Sequence, residues 1–247
     1  MPDRKDPAMA PSGSDAGGST PRPSPAAGPK RRRRRRGRSR PSGAEILDEL
    51  QKAVPKQAEK LHGQVLEAAD AFAGGREREA IKLLEPVRDK APGASGVREL
   101  LGLSYYRAGR YRAARQELEA FGELSGSVDQ VPVLMDCLRA QRRYTLVDDL
   151  WEELRAVSPR ADLVVEGRIV AAGALADRGE FDAAIRLLEQ RARKVKRATT
   201  ADLRLLYALA DLHERTGDIP RARSLFQRVV EGDRDLTDAA DRLAALA

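Results

Sequence analysis

The sequence contains very little cysteine and histidine, and this scarcity excludes several kinds of site. Its 247 residues include one cysteine, Cys137, and two histidines, His62 and His213. A single cysteine excludes an internal disulfide and a cysteine-rich metal site, and it favours a reducing compartment. Because the two histidines lie far apart in the sequence, they form no metal-ligand motif. We therefore expect no bound metal and no cofactor.

Long apolar runs and known catalytic motifs are also missing. No stretch approaches the roughly 18 apolar residues of a membrane span, and the basic N-terminus lacks the apolar segment of a secretory signal. There is no phosphate-binding glycine loop, His-Glu-x-x-His motif or nucleophile elbow. We expect a cytoplasmic protein without a transmembrane segment that is not an enzyme. His213 and Cys137 are expected to be packed helix residues, not catalytic groups.

Aromatic residues make up only 4% of the chain, although 41% of it is hydrophobic. Large aromatics usually dominate compact cores, so this core must be built from other residues. Alanine and leucine supply most of the apolar content, which is typical of helices that pack closely on small side chains. Only nine of the 45 basic residues are lysine, which favours a bacterial source with a GC-rich genome.

Charge is distributed unevenly along the chain. Residues 1–42 hold 12 basic and three acidic residues, a net charge of +9, whereas the remainder holds 33 basic and 35 acidic residues, a net charge of −2. Eight of the 14 prolines also lie in residues 1–42, together with almost no large apolar residue. Such a segment cannot bury enough surface to offset the entropy of ordering, which predicts a disordered tail. Ser42 and Glu45 then form the Ser-x-x-Glu capping box of a first helix.

A dense block of arginines ends the tail. Such a block attracts polyanions through counterion release, and residues 30–40 are a candidate binding segment for nucleic acid or another polyanion. No aromatic residue is interleaved with the arginines, so base stacking is not indicated. A nonspecific solubilising polycation is the alternative. The block comprises Arg31, Arg32, Arg33, Arg34, Arg35, Arg36, Arg38 and Arg40.

The rest of the chain repeats a pattern of one small and one large apolar residue. The small or compact residues recur at intervals of 34, 33, 37 and 38, and a large apolar residue follows each after four positions. A turn glycine precedes the small residue by five positions in four units, and Arg142 replaces it in the third. The small residues are Ala80, Ala114, Val147, Ala184 and Ala222. The turn glycines are Gly75, Gly109, Gly179 and Gly217.

This register resembles the tetratricopeptide repeat, in which two antiparallel helices occupy about 34 residues. The second unit carries the family's Leu-Gly-x-x-Tyr and Ala as Leu101, Gly102, Tyr105 and Ala114. The resemblance implies an all-α fold, an α-solenoid of about five helical hairpins over residues 61–236. It also implies cap regions at 43–60 and 237–247, after the tail at 1–42. Gly102 is expected where a Cβ would separate the two helices of a hairpin.

Several departures from the family pattern predict irregularities. The first unit has Gln64 and Glu67 where the family prefers large apolar residues. The later units are three or four residues longer than the earlier ones. The segment "EQRARKVKRATTADL" is therefore expected to extend one helix before Thr199 or Thr200 caps the next.

The resemblance implies that the first helix of each hairpin lines a concave groove. Tyr106, Arg107, Arg139 and Tyr207 are the predicted partner-binding residues, since aromatic and arginine anchors often dominate interfaces. The leading hypothesis is a scaffold that binds a protein or peptide in the groove, with the tail as an electrostatic tether. The alternative is a nucleic-acid-associated adaptor whose tail binds RNA or DNA. The other groove candidates are Phe72, Glu99, Leu103, Asp129, Asp136, Glu166, Ile169, Asp177, Arg204, Asp211 and Glu214.

One function known in the family is not expected here. Members that hold the C-terminal carboxylate of a chaperone use Lys and Asn at two groove positions of the first repeat. Val65 and Ala69 stand at these positions, and Glu99 and Leu103 stand at the matching positions of the second unit. None of these four side chains can donate a hydrogen bond to a carboxylate at neutral pH.

Overall fold

The computed structural model describes residues 42–157, 159–195 and 197–246. These belong to the second of the two units into which the chain divides, residues 1–31 and 32–247. The predicted tail, apart from Ser42, lies outside the described residues, and so does its arginine block. Within the described residues the chain forms twelve α-helices, one short 3-10 helix and no β-strand.

Ten of the helices form five consecutive antiparallel hairpins, and one further helix stands at either end. This confirms the predicted fold class, an all-α solenoid of helical hairpins. The helices are α1 Gly43–Ala53, α2 Ala58–Ala73, α3 Glu77–Lys90, α4 Ser95–Arg107, α5 Tyr111–Ser125, α6 Val131–Ala140, α7 Tyr144–Val157, α8 Ala161–Asp177, α9 Phe181–Ala192, α10 Thr200–Arg215, α11 Ile219–Gly232 and α12 Ala239–Ala245. The 3-10 helix, Pro55–Gln57, lies between α1 and α2.

Two helix starts follow the capping chemistry expected from the sequence. The Ser42 hydroxyl accepts the Glu45 backbone N–H, and the Glu45 carboxylate accepts the Ser42 N–H at 2.7 Å, which completes the predicted capping box. Thr199 caps α10 in the same way with Asp202 as its reciprocal partner. Each box satisfies two backbone N–H groups that the first turn of a helix leaves unpaired.

The turns inside the hairpins explain the recurring glycines. Gly109, Gly179 and Gly217 have φ of +72°, +82° and +82°, the left-handed region that glycine enters at no steric cost. In the third hairpin Arg142 makes the same turn with φ of +56°. Among the residues that the structure describes, Arg142 is the sole non-glycine with a positive φ, so this turn carries backbone strain.

Gly102 marks the close crossing of α4 and α5. A Cβ built on Gly102 would lie 2.7 Å from Leu118 Cδ2 and 3.3 Å from the Leu118 backbone N. The expected role of Gly102 is confirmed, because any side chain there would push against the second helix of its own hairpin. Gly167 allows a close approach between hairpins, since its Cβ would lie 2.5 Å from Cδ2 of the Leu154 side chain.

The apolar core consists of two clusters, both of which include residues of α8. Leu163 and Ala171 belong to the cluster that starts at α1, whereas Ala172 belongs to the cluster that ends at α12. Cys137 and His213 are fully or almost fully buried, as expected for packed helix residues. Burial, with the neighbouring Asp136 charge, raises the pKa of the Cys137 thiol to about 12, so it stays protonated at neutral pH.

One expectation about helix length is wrong. Helix α9 ends at Ala192, and Arg193 and Lys194 form a turn, so "EQRARKVKRATTADL" does not prolong that helix up to Thr199. The described residues between Ala192 and Thr199 are mostly charged and exposed, and such a segment gains little from continuing as a packed helix. The extra length of the fourth hairpin lies in its first helix, α8, which has 17 residues against 13 in α4.

Candidate functional site: the first-helix face

The predicted groove positions lie together on one set of helices. All except Asp129 belong to α2, α4, α6, α8 and α10, the first helices of the five hairpins. We call this set of positions the first-helix face. Its residues are Phe72, Glu99, Leu103, Tyr106, Arg107, Asp136, Arg139, Glu166, Ile169, Asp177, Arg204, Tyr207, Asp211 and Glu214, with Asp129 just before α6.

Arg107 connects the second hairpin to the first through Phe72. Its Nη1 donates a hydrogen bond to the Phe72 carbonyl oxygen at 3.0 Å, and its guanidinium carbon lies 3.9 Å from the centroid of the Phe72 ring. This is a cation–π arrangement in which the guanidinium keeps an exposed side. Arg107 can therefore donate hydrogen bonds to a further anionic or polar group while it keeps its contacts with Phe72.

Tyr106 connects the second hairpin to the third. Its hydroxyl donates to Asp136 Oδ2 at 2.7 Å, and its ring meets the edge of the Tyr111 ring at a centroid distance of 6.0 Å. Burial, followed by the hydrogen bond to Asp136, raises the pKa of Tyr106 well above its usual range. The phenol is thus a fixed, neutral hydrogen-bond donor with a half-exposed ring.

Arg139 connects the third hairpin to the fourth. Its Nε and Nη2 donate to the two carboxylate oxygens of Asp177 at 2.7 and 3.1 Å, a bidentate pair. Its Nη1 also lies 3.5 Å from Asp136, the acceptor of the Tyr106 hydroxyl. These acidic partners raise the pKa of Arg139 above its ordinary value, with the Asp177 hydrogen bond as the largest cause.

At the other end of the face, α12 contacts the first helix of the last hairpin. Arg242 of α12 donates to Asp211 at 2.9 Å and to Glu214 at 2.7 Å. It also donates to the Tyr207 hydroxyl oxygen at 3.1 Å, while that hydroxyl donates to Asp238 at 2.5 Å. The terminal helix therefore contacts α10 much as the first helix of a further hairpin would.

The four predicted partner-binding residues do not form one compact constellation. Tyr106 and Arg107 are neighbours on α4, whereas Arg139 lies on α6 and Tyr207 lies on α10. Each is already bonded to a neighbouring element of the solenoid. Their partners stand 35, 30, 38 and 31 positions away in sequence, close to one repeat.

Sequence reasoning missed these connections between hairpins, but their spacing is a usable signal. Complementary side chains about one repeat apart on first helices pair across the helix stack. Arg204 and Glu166 give another example, at 2.9 Å and 38 positions apart. Arg242 was missed for a different reason, because it lies in a short terminal helix that the repeat pattern does not cover.

Two groove positions are inaccessible. Val65 of α2 and Glu99 of α4 are each 2% exposed, although both occupy positions predicted to line the groove. Glu99 also accepts a hydrogen bond from Gln130 Nε2 at 2.8 Å. A partner bound at the first-helix face cannot contact either residue without a change in the structure.

The described part of the chain offers neither a metal site nor a membrane-spanning helix. No cluster of three or more His, Cys, Asp or Glu residues suited to a metal ion occurs among the residues with assigned structure. Of the helices between positions 42 and 246, setting aside the undescribed positions, none has the length and apolarity needed to cross a bilayer.

Five consecutive hairpins, connected by complementary side chains about one repeat apart, define a helical-repeat protein. The family model for the tetratricopeptide repeat matches residues 65–126 and 169–237, more than half of the chain. The chain therefore belongs to the tetratricopeptide repeat family, whose fold generally mediates protein–protein interaction. The unmatched stretch between the two ranges contains the third hairpin, where Arg142 replaces the turn glycine.

Solved structures share this fold at low sequence identity. The thermophilic tetratricopeptide repeat protein TTC0263 of Thermus thermophilus is 17% identical with a TM-score of 0.60, over 75% of this chain and 98% of that one. A Podosopora anserina putative kinesin light chain with nearly identical repeats is 20% identical with a TM-score of 0.54, over 74% of this chain and 97% of that one. No curated protein matches the sequence. At these identities the likeness concerns the fold alone.

Proposed function

We propose that this protein is a non-catalytic cytoplasmic scaffold that binds a peptide or protein segment on its first-helix face. The family supports a protein partner, and the chemistry of the face supports the location. Half-exposed aromatic rings and arginines lie along it, and these are the side chains that most often dominate interfaces.

The observation that carries the proposal is the series of side-chain contacts between successive first helices. Arg107, Tyr106 and Arg139 are each fixed by a partner on the neighbouring hairpin. A face whose side chains are already ordered loses little conformational entropy when a ligand binds, which favours affinity. The same contacts leave one side of the Arg107 guanidinium and of the Tyr106 ring open to a ligand.

The arginine-rich tail is assigned an auxiliary part in this proposal. The sequence places eight arginines between positions 31 and 40, next to a body whose net charge is close to zero. We assign the tail the role of an electrostatic tether that raises the local concentration of the scaffold near an anionic surface. Recognition of the partner then belongs to the helical hairpins.

The proposal is tested by affinity capture with full-length protein carrying matched charge reversals. Arg107→Glu changes the first-helix face, and Arg112→Glu makes the same change on the exposed surface of α5. A genuine partner is retained by the wild type and by Arg112→Glu and is lost by Arg107→Glu. A partner that binds all three proteins equally would contradict the assigned location.

The tail is tested separately in the full-length chain. Replacing the eight arginines by glutamine should abolish the salt-dependent retention of the protein on double-stranded DNA, a model polyanion, without changing partner capture. If DNA binding and its salt dependence survive the replacement, the tail is not the anion-binding segment. If partner capture is lost together with DNA binding, the partner is a nucleic acid or a nucleic-acid-bound protein, and the adaptor alternative replaces the scaffold.

A further inference from the structure

Helix α1 contacts α2 and α4, which are both first helices, and Glu49 makes its polar contact with α4. Glu49 accepts the Ser95 hydroxyl at 2.6 Å and the Gly96 backbone N–H at 3.3 Å. These are the first two residues of α4, whose own N-cap residue, Ala94, has no side chain that can cap it. A carboxylate from α1 therefore caps the positive end of α4 from outside the hairpin.

Helix α1 does not lie where a helix that caps the end of the solenoid would lie, against the outer side of the first hairpin. In the second hairpin, Val97 and Leu101 are fully buried, in a helix that packs against α3 of the preceding hairpin. The residues at the same positions of α2 are Gly63 and Glu67, 34 positions earlier, and both are exposed. The end of the first hairpin is thus open to solvent, and α1 does not cover it.

On the two helices that α1 contacts, two predicted groove positions are buried. Val65 and Glu99 stand at the same position of α2 and α4, and each is 2% exposed. Leu50 of α1 is fully buried in the same apolar cluster as Val65. A Cβ built on Gly43, the first residue of α1, would lie 3.8 Å from His62 Nε2, in the first half of α2. Helix α1 therefore lies on the first-helix face, over the N-terminal parts of α2 and α4.

Helix α1 buries few of its residues fully, although Ile46 and Leu47 pack against the core. Leu50 is its one fully buried residue, whereas nine residues of α4 are buried. The helical conformation is interrupted at Val54 and Pro55, so α1 and α2 are separate helices. Among the described residues, the buried His62 Nε2 atom has no hydrogen-bond partner, and this leaves a polar group poorly satisfied near the start of α1. Elements that bury so few residues open locally before the whole protein unfolds.

We propose that α1 is a displaceable intramolecular ligand of the first-helix face, and that an amphipathic helix of a partner protein takes its place. The partner helix carries aliphatic side chains spaced like Ile46, Leu47 and Leu50, with a carboxylate at the position of Glu49. That carboxylate restores the cap that α4 loses when α1 leaves. The partner half of this inference rests on the proposed function, whereas the displacement of α1 does not.

Displacement is tested by hydrogen–deuterium exchange on the full-length chain, without any partner. Glu49→Gln weakens the cap on α4. Asp48→Asn is the matched control, because Asp48 pairs with Lys52 on the exposed side of α1. We expect exchange of the α1 amides to rise at least tenfold in Glu49→Gln and less than twofold in Asp48→Asn, with α5 to α11 unchanged. If the α1 amides exchange as slowly as those of α4 in both variants, α1 is an integral element and the proposal is wrong.

Replacement by a second helix is tested with a labelled peptide of residues 42–54 and fluorescence anisotropy. The peptide should bind the Glu49→Gln chain at least fivefold more tightly than the wild type, because the resident helix competes less well. A peptide that itself carries Glu49→Gln should bind the Glu49→Gln chain more weakly than the unmodified peptide does, because it cannot restore the cap on α4. Equal binding of the peptide to both chains, or no binding to the Glu49→Gln chain, would overturn the inference. Neither experiment uses a cellular partner, so both can succeed even if capture at Arg107 fails.

Discussion

The guanidinium of Arg139 lies directly over Gly173, and a Cβ built on Gly173 would be 2.6 Å from Arg139 Nη1. The missing side chain gives Arg139 room to pass across α8 and reach Asp177. A glycine in the middle of a helix, costly on its own, is thus explained by a contact between two hairpins. Gly102 has a different reason, because its neighbour is the second helix of its own hairpin.

This difference predicts a larger loss of stability for one of two glycine-to-alanine substitutions than for the other. Gly102→Ala should lower the free energy of unfolding by about 1–2 kcal/mol, because Leu118 and its backbone N cannot move away easily. Gly173→Ala should stay within about 1 kcal/mol of the wild type, because the flexible Arg139 tip can move and the helix gains alanine's propensity. Urea unfolding of the two full-length variants measures both values. A larger loss for Gly173→Ala than for Gly102→Ala would refute this explanation.

The strained turn of the third hairpin predicts a stabilising substitution. Arg142→Gly should raise the free energy of unfolding by about 0.5–1 kcal/mol, because glycine adopts φ of +56° without the clash that a Cβ creates. Arg143→Gly is the control at the adjacent position, which lacks a positive φ, and it should give no gain. Thermal unfolding of both variants decides the question, and a gain for Arg143→Gly alone would show that strain is not the cause.

The buried carboxylate of Glu117 leads to a prediction about the stability of the first two hairpins. This residue is only 5% exposed, and its carboxylate accepts Arg88 Nη1 at 2.7 Å and Arg98 Nη1 at 2.6 Å. Glu117→Gln should lower the free energy of unfolding by about 2 kcal/mol, because two partly buried guanidinium groups then lack their shared counter-charge. Glu119→Gln, which alters a longer and half-exposed pair with Arg115 at 3.9 Å, should cost less than about 0.5 kcal/mol. Equal costs in urea unfolding would contradict this account.

His213 predicts a specific pH dependence of stability. Burial lowers its pKa below the ordinary value of 6.5, and the nearby Asp218 only partly opposes this effect. Below pH 6.5 the unfolded chain takes up a proton at His213 that the folded chain resists. The contribution of His213 to stability is therefore complete above pH 6.5 and falls as the pH drops towards the lowered pKa. His213→Leu should remove this part of the pH dependence in unfolding measured between about pH 7.5 and 5, and an unchanged profile would exclude His213 as its source.

The hairpins could be predicted from the sequence because their determinants are local and periodic. Gly102 and the turn glycine Gly109 each act within one hairpin, so their spacing alone indicates two helices and the turn between them. The same holds for Thr199, whose cap depends on a residue three positions later. Such signals need no knowledge of which helices are neighbours in space.

The site was less predictable because its contacts depend on the packing of one hairpin on the next. Tyr106 and Arg139 are predicted as anchors for a partner, yet both are bonded to the following first helix. The position of α1 was also beyond the pattern, since Glu49 meets Ser95 across 46 positions of sequence. Helix α9 ends at Ala192 because few apolar residues follow it. The spacing between repeats does not contain this information.

Site-specific photo-crosslinking tests the central claim, binding at the first-helix face, most directly. A photoreactive residue is placed at Leu103, half-buried on α4, or at Leu124, which is 48% exposed on α5. The captured partner should crosslink from position 103 and not from position 124, and Arg107→Glu should abolish the product. Crosslinking from position 124 with none from position 103 would show that the partner binds elsewhere and would contradict the account.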